Sequence, residues 1–292
     1  MGGDQNFNYE DVSILVNQDK SRGFHKKIYS RKPELRRVVE MVKVKNGRIL
    51  DAGCGGGLVT ECLPEYYPKA KIYGCDISKT AINLANQYGT GKVSYKKMKK
   101  KFPYPSRYFD VCLCLDVLEH VPDVDFFLKE AKRVLKKDGV FFAAIPCEGQ
   151  PFTLTWLFGR IGFLDNLTFK HVGHIHPEFT HDYVTLLLES NGFRILKKKY
   201  SERIPVQFLR YILFMLPKEI LEFIIGKNKA ENYYDKSLTT QGDGGKQDII
   251  MHIRNLWIRL YSLTKFIDDI DAERFNRISL TAWKINLLAV KD

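Results

Sequence analysis

Short apolar runs alternate with helical stretches through the middle of the chain, from about residue 48 to residue 146. Several of these runs contain almost no polar residues, which is typical of strands buried on both faces of a sheet. We predict strands at RILDA, KIYGCD, KVSY, YFDVCLCLD and GVFFAAIP. Helices are predicted from Leu58, after the N-cap residue Ser78, and near Asp125 to Leu135. The alternation predicts a parallel sheet covered by helices on both faces.

The two flanks of this central unit have other patterns. The unit itself, residues 48–201, ends on the predicted strand FRILKKKY. Residues 1–47 are predicted to form a helical cap with an amphipathic helix that begins at Pro33. Residues 202–278 include a broken, strongly apolar helical pair, PVQFLRYILFMLPKEILEFIIG, and we interpret them as a helical insertion. The run SLTAWKINLLAV, within residues 279–292, is predicted to return to the sheet as its last strand.

Composition and charge narrow the class of protein and its partners. The 292 residues are 45% apolar and 27% charged, which is ordinary for a globular domain. The formal net charge of +12 favours an anionic partner but does not choose among nucleic acid, a lipid surface and a phosphorylated substrate. The six cysteines form no C-x-x-C pair, so we predict reduced, buried thiols. The N-terminal residues lack a secretory pattern and no apolar run reaches the roughly 18 residues of a membrane span, so we expect a cytoplasmic protein.

The glycine-rich stretch RILDAGCGGGLVT stands between a predicted strand and a predicted helix. Glycines there permit positive φ and let a ligand approach the backbone, and the start of a helix offers unpaired N–H groups. A dinucleotide fingerprint needs a third glycine where this chain has Leu58. Asp51, ahead of Gly53, also lies outside that fingerprint. The spacing therefore argues against a nicotinamide dinucleotide and for another small polar or charged ligand.

This stretch resembles motif I of the class I S-adenosylmethionine-dependent methyltransferases, D-x-G-x-G-x-G, and the resemblance runs from about Arg48 to Tyr200. Asp76 matches the acidic residue that holds both ribose hydroxyls in that family, and Phe109-Asp110 and LKKDGVFFAAIP match its later strands. The resemblance implies a doubly wound, Rossmann-like α/β fold. Its seven-stranded sheet is mostly parallel with the last strand antiparallel, and a helical insertion precedes that strand. S-adenosylmethionine is the cofactor that the resemblance implies.

The resemblance also places the cofactor-binding residues. Asp51 would steady the loop and help to hold the amino end of the cofactor. The family often has an acidic residue for the adenine amino group, but Met98 stands there, so we expect Ile77, Met98 and backbone groups to hold adenine. The surrounding lysine run, residues 96–101, is interpreted as a solvated loop, with an anion-attracting patch as the alternative. The predicted set is Asp51, Gly53, Cys54, Gly55, Gly57, Asp76, Ile77, Met98, Lys99, Leu115 and Asp116.

Histidines are the candidates for catalysis. Direct methyl transfer relies mainly on alignment and desolvation, and a base helps where the acceptor is a hydroxyl. His120 follows the fourth predicted strand, and His174 and His176 lie where the family places acceptor contacts. The structural alternative is that GHIHPEFT only fixes the lead-in to a helix capped by Thr180. We predict His120, His174 and His176 as catalytic and no metal, with a His-x-His metal site as a competing hypothesis.

The methyl acceptor is a separate question. The subgroup that this chain most resembles contains the ubiquinone-biosynthesis O-methyltransferases, which act on isoprenoid acceptors at membranes. We therefore expect methyl transfer to a small-molecule or lipid-linked acceptor, at oxygen. The aromatic stretch 151–164 and the segment 203–226, with Arg203, Arg210 and Lys218 beside its apolar face, fit peripheral membrane contact. A cover over the acceptor pocket or a dimer contact explains them as well.

Two other functions stay open at this point. An RNA methyltransferase would suit the positive charge and the lysine run, but the chain shows no recognisable RNA-binding module, so a nucleic-acid partner is not expected. A non-catalytic scaffold that binds S-adenosylmethionine is the second alternative.

Overall fold

Seven strands form one sheet in the computed structural model, which describes residues 33–160, 173–212, 266–268, 270 and 279–291. The strands are β1 (Gly47–Ala52), β2 (Ala70–Asp76), β3 (Val93–Lys97), β4 (Phe109–Leu115), β5 (Leu135–Pro146), β6 (Phe193–Ser201) and β7 (Lys284–Lys291). Their order across the sheet is β3-β2-β1-β4-β5-β7-β6. Much of the predicted N-terminal cap, the end of the aromatic stretch and most of the predicted insertion lie outside the described residues.

The sheet is mixed in the way that the resemblance implies. Strands β1 to β5 pair in parallel, and β7 runs antiparallel to both of its neighbours, β5 and β6. The central strands β4 and β5 are buried along most of their length, as parallel strands covered on both faces must be. The predicted seven-stranded, doubly wound fold with an antiparallel last strand is therefore confirmed. The domain boundaries stay predictions.

Helices connect the strands, and polar side chains begin several of them. The described helices with defined bounds are α1 (Pro33–Met41), α2 (Leu63–Tyr66), α3 (Lys79–Tyr88), α4 (Val124–Val134), α5 (Leu154–Arg160), α6 (His181–Ser190) and α7 (Ile204–Arg210). Ser78 and Thr180 cap α3 and α6, since each side-chain oxygen accepts a hydrogen bond from the backbone N–H three residues on, at 3.0 and 3.1 Å. Asp123 caps α4 in the same way.

The helix predicted from Leu58 is shorter and tighter than expected. The chain makes a 3₁₀ turn at Thr60–Cys62 and then the single helical turn of α2. Pro64 lies in the first turn of α2 and has no N–H to continue hydrogen bonding from the preceding turn. Pro68 follows directly after α2 and its C-cap, where prolines commonly stop a helix.

Alternate residues of the strands supply two cores on opposite faces of the sheet. In β1, Leu50 and Ala52 pack into one core and Ile49 packs into the other. Helix α1 covers the second core, and the Val38 carbonyl accepts a 3.3 Å hydrogen bond from the Tyr67 hydroxyl. None of the described helices is both long enough and apolar enough to cross a membrane.

Candidate functional site

The glycine-rich loop leaves the carboxyl end of β1 and lies against the end of β2. The N–H groups of Gly53 and Cys54 donate to the Cys75 carbonyl at 2.8 and 3.1 Å. Gly53 has φ +85°, and a β-carbon at this position would collide with the Val117 side chain. Gly55 has φ +51°, and among the described residues no atom beyond Gly55 and its two chain neighbours lies within 4 Å of the point where its β-carbon would be. The loop thus has open space beside its backbone, which lets a ligand approach closely.

Asp51 ties the strand before the loop to the turn after it. Its side chain is buried, and its Oδ2 accepts a 2.6 Å hydrogen bond from the Thr60 hydroxyl. Hydrogen bonds to an ionised carboxylate are shorter and stronger than those between neutral groups. Asp51 and Thr60 therefore hold the two sides of the loop together. The predicted contact of Asp51 with the amino end of the cofactor stays a prediction.

Asp76 ends β2 and faces the loop. Its Oδ2 accepts a 2.8 Å hydrogen bond from the Gly55 N–H, and its Oδ1 accepts a 2.9 Å hydrogen bond from the Ser78 N–H. Each carboxylate oxygen can accept more than one hydrogen bond, so these two bonds do not prevent Asp76 from accepting others. The ribose contact predicted for Asp76 is compatible with the bonds that it makes inside the protein.

The side chains predicted around adenine differ in exposure. Ile77 is 48% exposed, so a large apolar surface stands beside the Asp76 carboxylate. Met98 is buried in the main core, and its N–H donates to the Asp76 carbonyl at 2.8 Å. Lys99 is exposed, and Leu115 is partly buried at the end of β4. Ile77 therefore offers the open apolar face, and Met98 supports the strand end behind it.

Asp116 follows β4 with φ +55°, an uncommon conformation for a residue with a side chain. Its Oδ1 lies 2.8 Å from the buried ammonium of Lys284, which also contacts carboxylate oxygens of Glu34 at 2.7 Å and Glu202 at 3.4 Å. Burial opposes the charge of Lys284, but the three carboxylates raise the pKa of this ammonium well above its ordinary value. If Asp116 contacts the cofactor, its carboxylate would therefore bind the cofactor and Lys284 at the same time.

A buried polar cluster lies directly after β4, in the 3₁₀ turn Leu118–His120. Glu119 is 1% exposed, and neither of its carboxylate oxygens has a hydrogen-bond partner among the residues that the structure describes. The His120 ring packs edge-on against His174, with centroids 4.9 Å apart. His120 Nδ1 lies 2.9 Å from the Gly173 carbonyl oxygen, and His120 Nε2 lies 3.9 Å from Glu119 Oε1. Glu119, His120 and His174 thus form one cluster.

Glu148 orients the second histidine of this cluster. Glu148 Oε1 lies 2.5 Å from His174 Nδ1, and Glu148 Oε2 accepts a 3.2 Å hydrogen bond from Trp283 Nε1. All three side chains are buried. Because an ionised carboxylate can only accept, His174 Nδ1 is the donor in this pair.

The acid–base properties of the cluster are shifted toward neutral forms. Burial and the nearby Asp116 carboxylate raise the pKa of Glu119 well above its usual range. Burial lowers the pKa of His120. Two adjacent groups whose pKa values are displaced in this way at the end of a central strand are typical of a functional site.

His176 is held in another way. Its Nε2 lies 2.8 Å from the Val121 carbonyl oxygen, its Nδ1 lies 2.8 Å from Glu178 Oε1, and its ring stacks on Phe179 with centroids 4.5 Å apart. Since both ring nitrogens are engaged, the geometry favours a role in fixing the segment before α6 over proton transfer. Of the three histidines predicted as catalytic, the structure brings His120 and His174 into contact and leaves His176 outside that contact.

Three charged residues of this site were not predicted from the sequence: Glu119, Glu148 and Lys284. Glu119 stands next to His120 in LEHV, but a single acidic residue in a short motif gives no sign that it is buried. Glu148 follows β5 at the edge of the sheet where ligands of open α/β folds bind, and this position was a usable signal. Lys284 begins β7 directly after the buried Trp283, and lysine is rarely buried without a partner.

The chain is similar to methyltransferases. Residues 50–143 match the family model for a methyltransferase domain. Over 104 residues the chain is 39% identical to a ubiquinone biosynthesis O-methyltransferase of Pelagibacter ubique, a match that covers 35% of this chain and 42% of that protein. Over 175 residues it is 27% identical to a protein of the same name from Coxiella burnetii, covering 56% of this chain and 70% of that protein.

A solved structure shares the fold. The chain superimposes on phosphoethanolamine N-methyltransferase 2 of Haemonchus contortus, solved in complex with S-adenosyl-L-methionine, with a TM-score of 0.54 and 16% identity. The superposition covers 97% of this chain and 60% of that chain.

Proposed function

We propose that this chain, which carries a class I S-adenosylmethionine-dependent methyltransferase domain, transfers the methyl group of that cofactor to an oxygen atom of a small-molecule or lipid-linked acceptor. The methyltransferase family, the fold and the cofactor predicted from the sequence are confirmed by the domain match and the methyltransferase neighbours. The match spans about two fifths of the Pelagibacter protein, so the acceptor and the atom that receives the methyl group are argued from the site.

The loop and the end of β2 fit the cofactor. The open space at Gly55 lets a ligand lie against the loop backbone. Asp76 would accept hydrogen bonds from the two ribose hydroxyls, and Ile77 would cover the adenine ring with its exposed apolar face. Asp51 would keep the loop in place through Thr60. When bound, the cofactor supplies a methyl group on a positively charged sulfur.

One observation carries the proposed transfer to oxygen: the polar cluster of Glu119, His120 and His174 follows β4, the strand next to β1. The strand order reverses between β1 and β4. Strands β2 and β3 lie on one side of β1, and β4 and β5 lie on the other side. Ligands of open α/β sheets bind at such a switch point. An acceptor hydroxyl placed there would meet groups able to take or share its proton, as transfer to oxygen requires.

The names of the relatives support oxygen as the receiving atom, since two of them are described as O-methyltransferases. Apolar surface near the site supports an acceptor with a hydrophobic part. Helices α5 and α7 pack together through a 2.7 Å hydrogen bond from the Leu154 N–H to Gln207 Oε1. Beside this contact, Phe152 and Phe208 are 56% and 52% exposed. Of the three basic residues that we predicted next to this face, Arg203 is buried before α7, and the side chains of Arg210 and Lys218 lie outside the described part of the chain.

Cofactor binding is tested first, by calorimetric titration of the purified chain with S-adenosylmethionine. Asp76→Ala removes the ribose acceptor and the bond to the Gly55 N–H, so affinity should fall by at least about tenfold, the value of one hydrogen bond to a charged group. Asp138→Ala is the matched control, because Asp138 is exposed near the opposite end of β5. Equal affinities of the two variants would contradict the role given to Asp76.

The acceptor is then sought with methyl-labelled S-adenosylmethionine. The chain is incubated separately with lipid, small-molecule and RNA fractions, and label in each fraction is counted. We expect label in the lipid or small-molecule fraction, in an ether or ester product that mass spectrometry identifies. Label in RNA alone would contradict the proposal and favour an RNA methyltransferase. Cofactor binding without label in any fraction would favour the non-catalytic scaffold.

A further inference from the structure

We propose that one face of the sheet, formed by β1, β2 and β3 on the side away from α1, binds a phosphate ester group. Three cationic and two hydroxyl side chains meet there, and we call them the basic tyrosine patch: Arg48, Lys71, Lys96, Tyr73 and Tyr108. Tyr108 precedes β4, whereas the polar cluster of Glu119 follows it. The patch is therefore separate from that cluster, and the inference goes beyond the proposed function and does not rest on it.

The connection from β3 to β4 leaves this face open. The connections from β1 to β2, from β2 to β3 and from β4 to β5 all contain helical segments, as in sheets that helices cover on both faces. Residues 98–108, between β3 and β4, contain no helix. Lys71 and Lys96 are exposed on this face, and Tyr73 and Tyr108 are partly exposed. A ligand from solvent can therefore reach all four side chains.

The register of the strands places the cations on the same face. Arg48 of β1 is the direct partner of Lys71 of β2, so the two side chains lie side by side. Tyr73 follows two residues after Lys71 and points the same way, because side chains alternate along a strand. Lys96 of β3 is the partner of Cys75, which lies two residues further along β2. The ammonium of Lys96 thus belongs to the face that carries Tyr73.

Contacts between side chains draw the patch together around the tyrosines. The hydroxyl oxygens of Tyr73 and Tyr108 lie 3.2 Å apart. The guanidinium carbon of Arg48 lies 4.2 Å from the centroid of the Tyr108 ring. The hydrogen bond with Tyr73 lowers the pKa of Tyr108, and so do the positive charges of the three cations of the patch. All three positive charges are therefore close to the same hydroxyl group.

Within the described structure no carboxylate forms an ion pair with these three cations. Asp110 stands two residues after Tyr108, but its Oδ1 contacts the Lys136 ammonium at 2.6 Å and its Oδ2 accepts a 2.8 Å hydrogen bond from the Arg48 N–H. Residues 77–109 contain eight basic residues and no acidic residue. Like charges close together repel one another, so a bound anion would stabilise the patch.

The donor set indicates the kind of anion. A phosphate monoester carries about two negative charges and three acceptor oxygens, whereas a carboxylate has one charge. An arginine can hold two phosphate oxygens at once, and a lysine adds a point charge. The tyrosine hydroxyls can donate to the remaining oxygen. The patch therefore fits a terminal phosphate, carried either by a soluble compound or by a lipid head group.

The patch also divides the lysine run of residues 96–101. Lys96 belongs to the patch, which favours the anion-attracting alternative at this position. Lys100 instead pairs with Asp123 at 2.8 Å and lies over the Phe126 ring.

Binding is measured by calorimetric titration with glycerol 3-phosphate, and with glycerate as the matched carboxylate. Wild type should bind glycerol 3-phosphate at about one site and glycerate at least about tenfold more weakly. Lys71→Gln and Lys96→Gln should each lower the affinity for glycerol 3-phosphate by about tenfold. Lys97→Gln is the matched control, because Lys97 is exposed on the same strand but on its other face, and it should keep the wild-type affinity. S-adenosylmethionine binding of each variant checks that it is folded.

Vesicles identify the source of the phosphate. Wild type and Lys71→Gln are sedimented with vesicles of phosphatidylcholine, alone and with phosphatidic acid. Sedimentation that needs phosphatidic acid and is lost in Lys71→Gln would support the patch and assign it to a lipid head group. Binding of glycerol 3-phosphate without sedimentation would support the patch and assign it to a soluble ester.

Three results would overturn the patch as a phosphate ester site. The first is that wild type binds neither glycerol 3-phosphate nor phosphatidic acid vesicles. The second is that Lys97→Gln loses as much affinity as Lys71→Gln, since general electrostatic attraction would then explain the binding. The third is that RNA binds through Lys71 and Lys96 and glycerol 3-phosphate does not displace it.

Discussion

His181 gives a stability prediction whose size follows from its surroundings. The residue begins α6 and is 5% exposed, with its ring 4.9 Å from that of Tyr200. Its Nε2 is buried and has no hydrogen-bond partner in the described structure. Burial lowers the pKa of His181 from 6.5 to about 4. The folded protein therefore holds this imidazole neutral over a pH range in which the unfolded chain protonates it.

The sign of the effect follows from proton linkage. Between pH 6.5 and pH 4 the unfolded state binds more protons at His181 than the folded state, so the free energy of unfolding falls as the pH falls. The contribution of the neutral His181 ring to the free energy of unfolding is fully present above pH 6.5 and is lost as the pH falls toward 4. A shift of about 2.5 units limits the total loss to about 3.4 kcal/mol, and the part lost between pH 7.5 and pH 5 is about 2 kcal/mol.

Urea denaturation followed by circular dichroism at pH 7.5 and pH 5 measures this loss. His181→Phe keeps a ring of similar size against Tyr200 and cannot take up a proton. Its free energy of unfolding should change with pH by about 2 kcal/mol less than that of wild type, whatever its stability at pH 7.5. Other groups that titrate in this range contribute equally to both proteins. An identical pH dependence of the two proteins would refute the assignment of His181 as a buried neutral histidine.

Substitutions at three further positions test the loop and the ion network by urea denaturation. Gly57→Ala should lower the free energy of unfolding by about 1–3 kcal/mol and weaken cofactor binding, because φ is +80° and the new β-carbon would lie 2.5 Å from the Tyr95 hydroxyl oxygen. Thr60→Val should lose about 1–3 kcal/mol by removing the donor to Asp51, and Thr60→Ser should keep most of the stability. Lys284→Met should lose about 3–5 kcal/mol, since the buried carboxylates of Glu34 and Glu202 and the partly exposed carboxylate of Asp116 lose their contact with this cation. Wild-type stability in Gly57→Ala, Thr60→Val or Lys284→Met would contradict the reasoning behind that substitution.

The parts of the site that depend on residues close together along the chain were predictable from the sequence. The loop after β1 and the carboxylate at the end of β2 follow from local apolar runs and glycine spacing, because the carboxyl ends of parallel strands meet at one edge. The pairing of His120 with the segment around Gly173 joins residues 53 positions apart, and spacing along the chain does not reveal such a contact. For the same reason the sequence grouped His176 with His174 as a catalytic candidate, although His176 bonds to Val121 and Glu178.

The ion network around Lys284 shows why the last strand belongs to the site and is more than the closing strand of the sheet. Its ammonium joins Glu34 of α1, Asp116 after β4 and Glu202 after β6, three segments far apart in the chain. Asp116 keeps an unfavourable backbone conformation, and such strain persists only where the surroundings hold the residue in place. The ion pair with Lys284 holds Asp116 in place, directly before the turn that carries Glu119 and His120. The position of the polar cluster therefore depends on the return of β7 to the sheet.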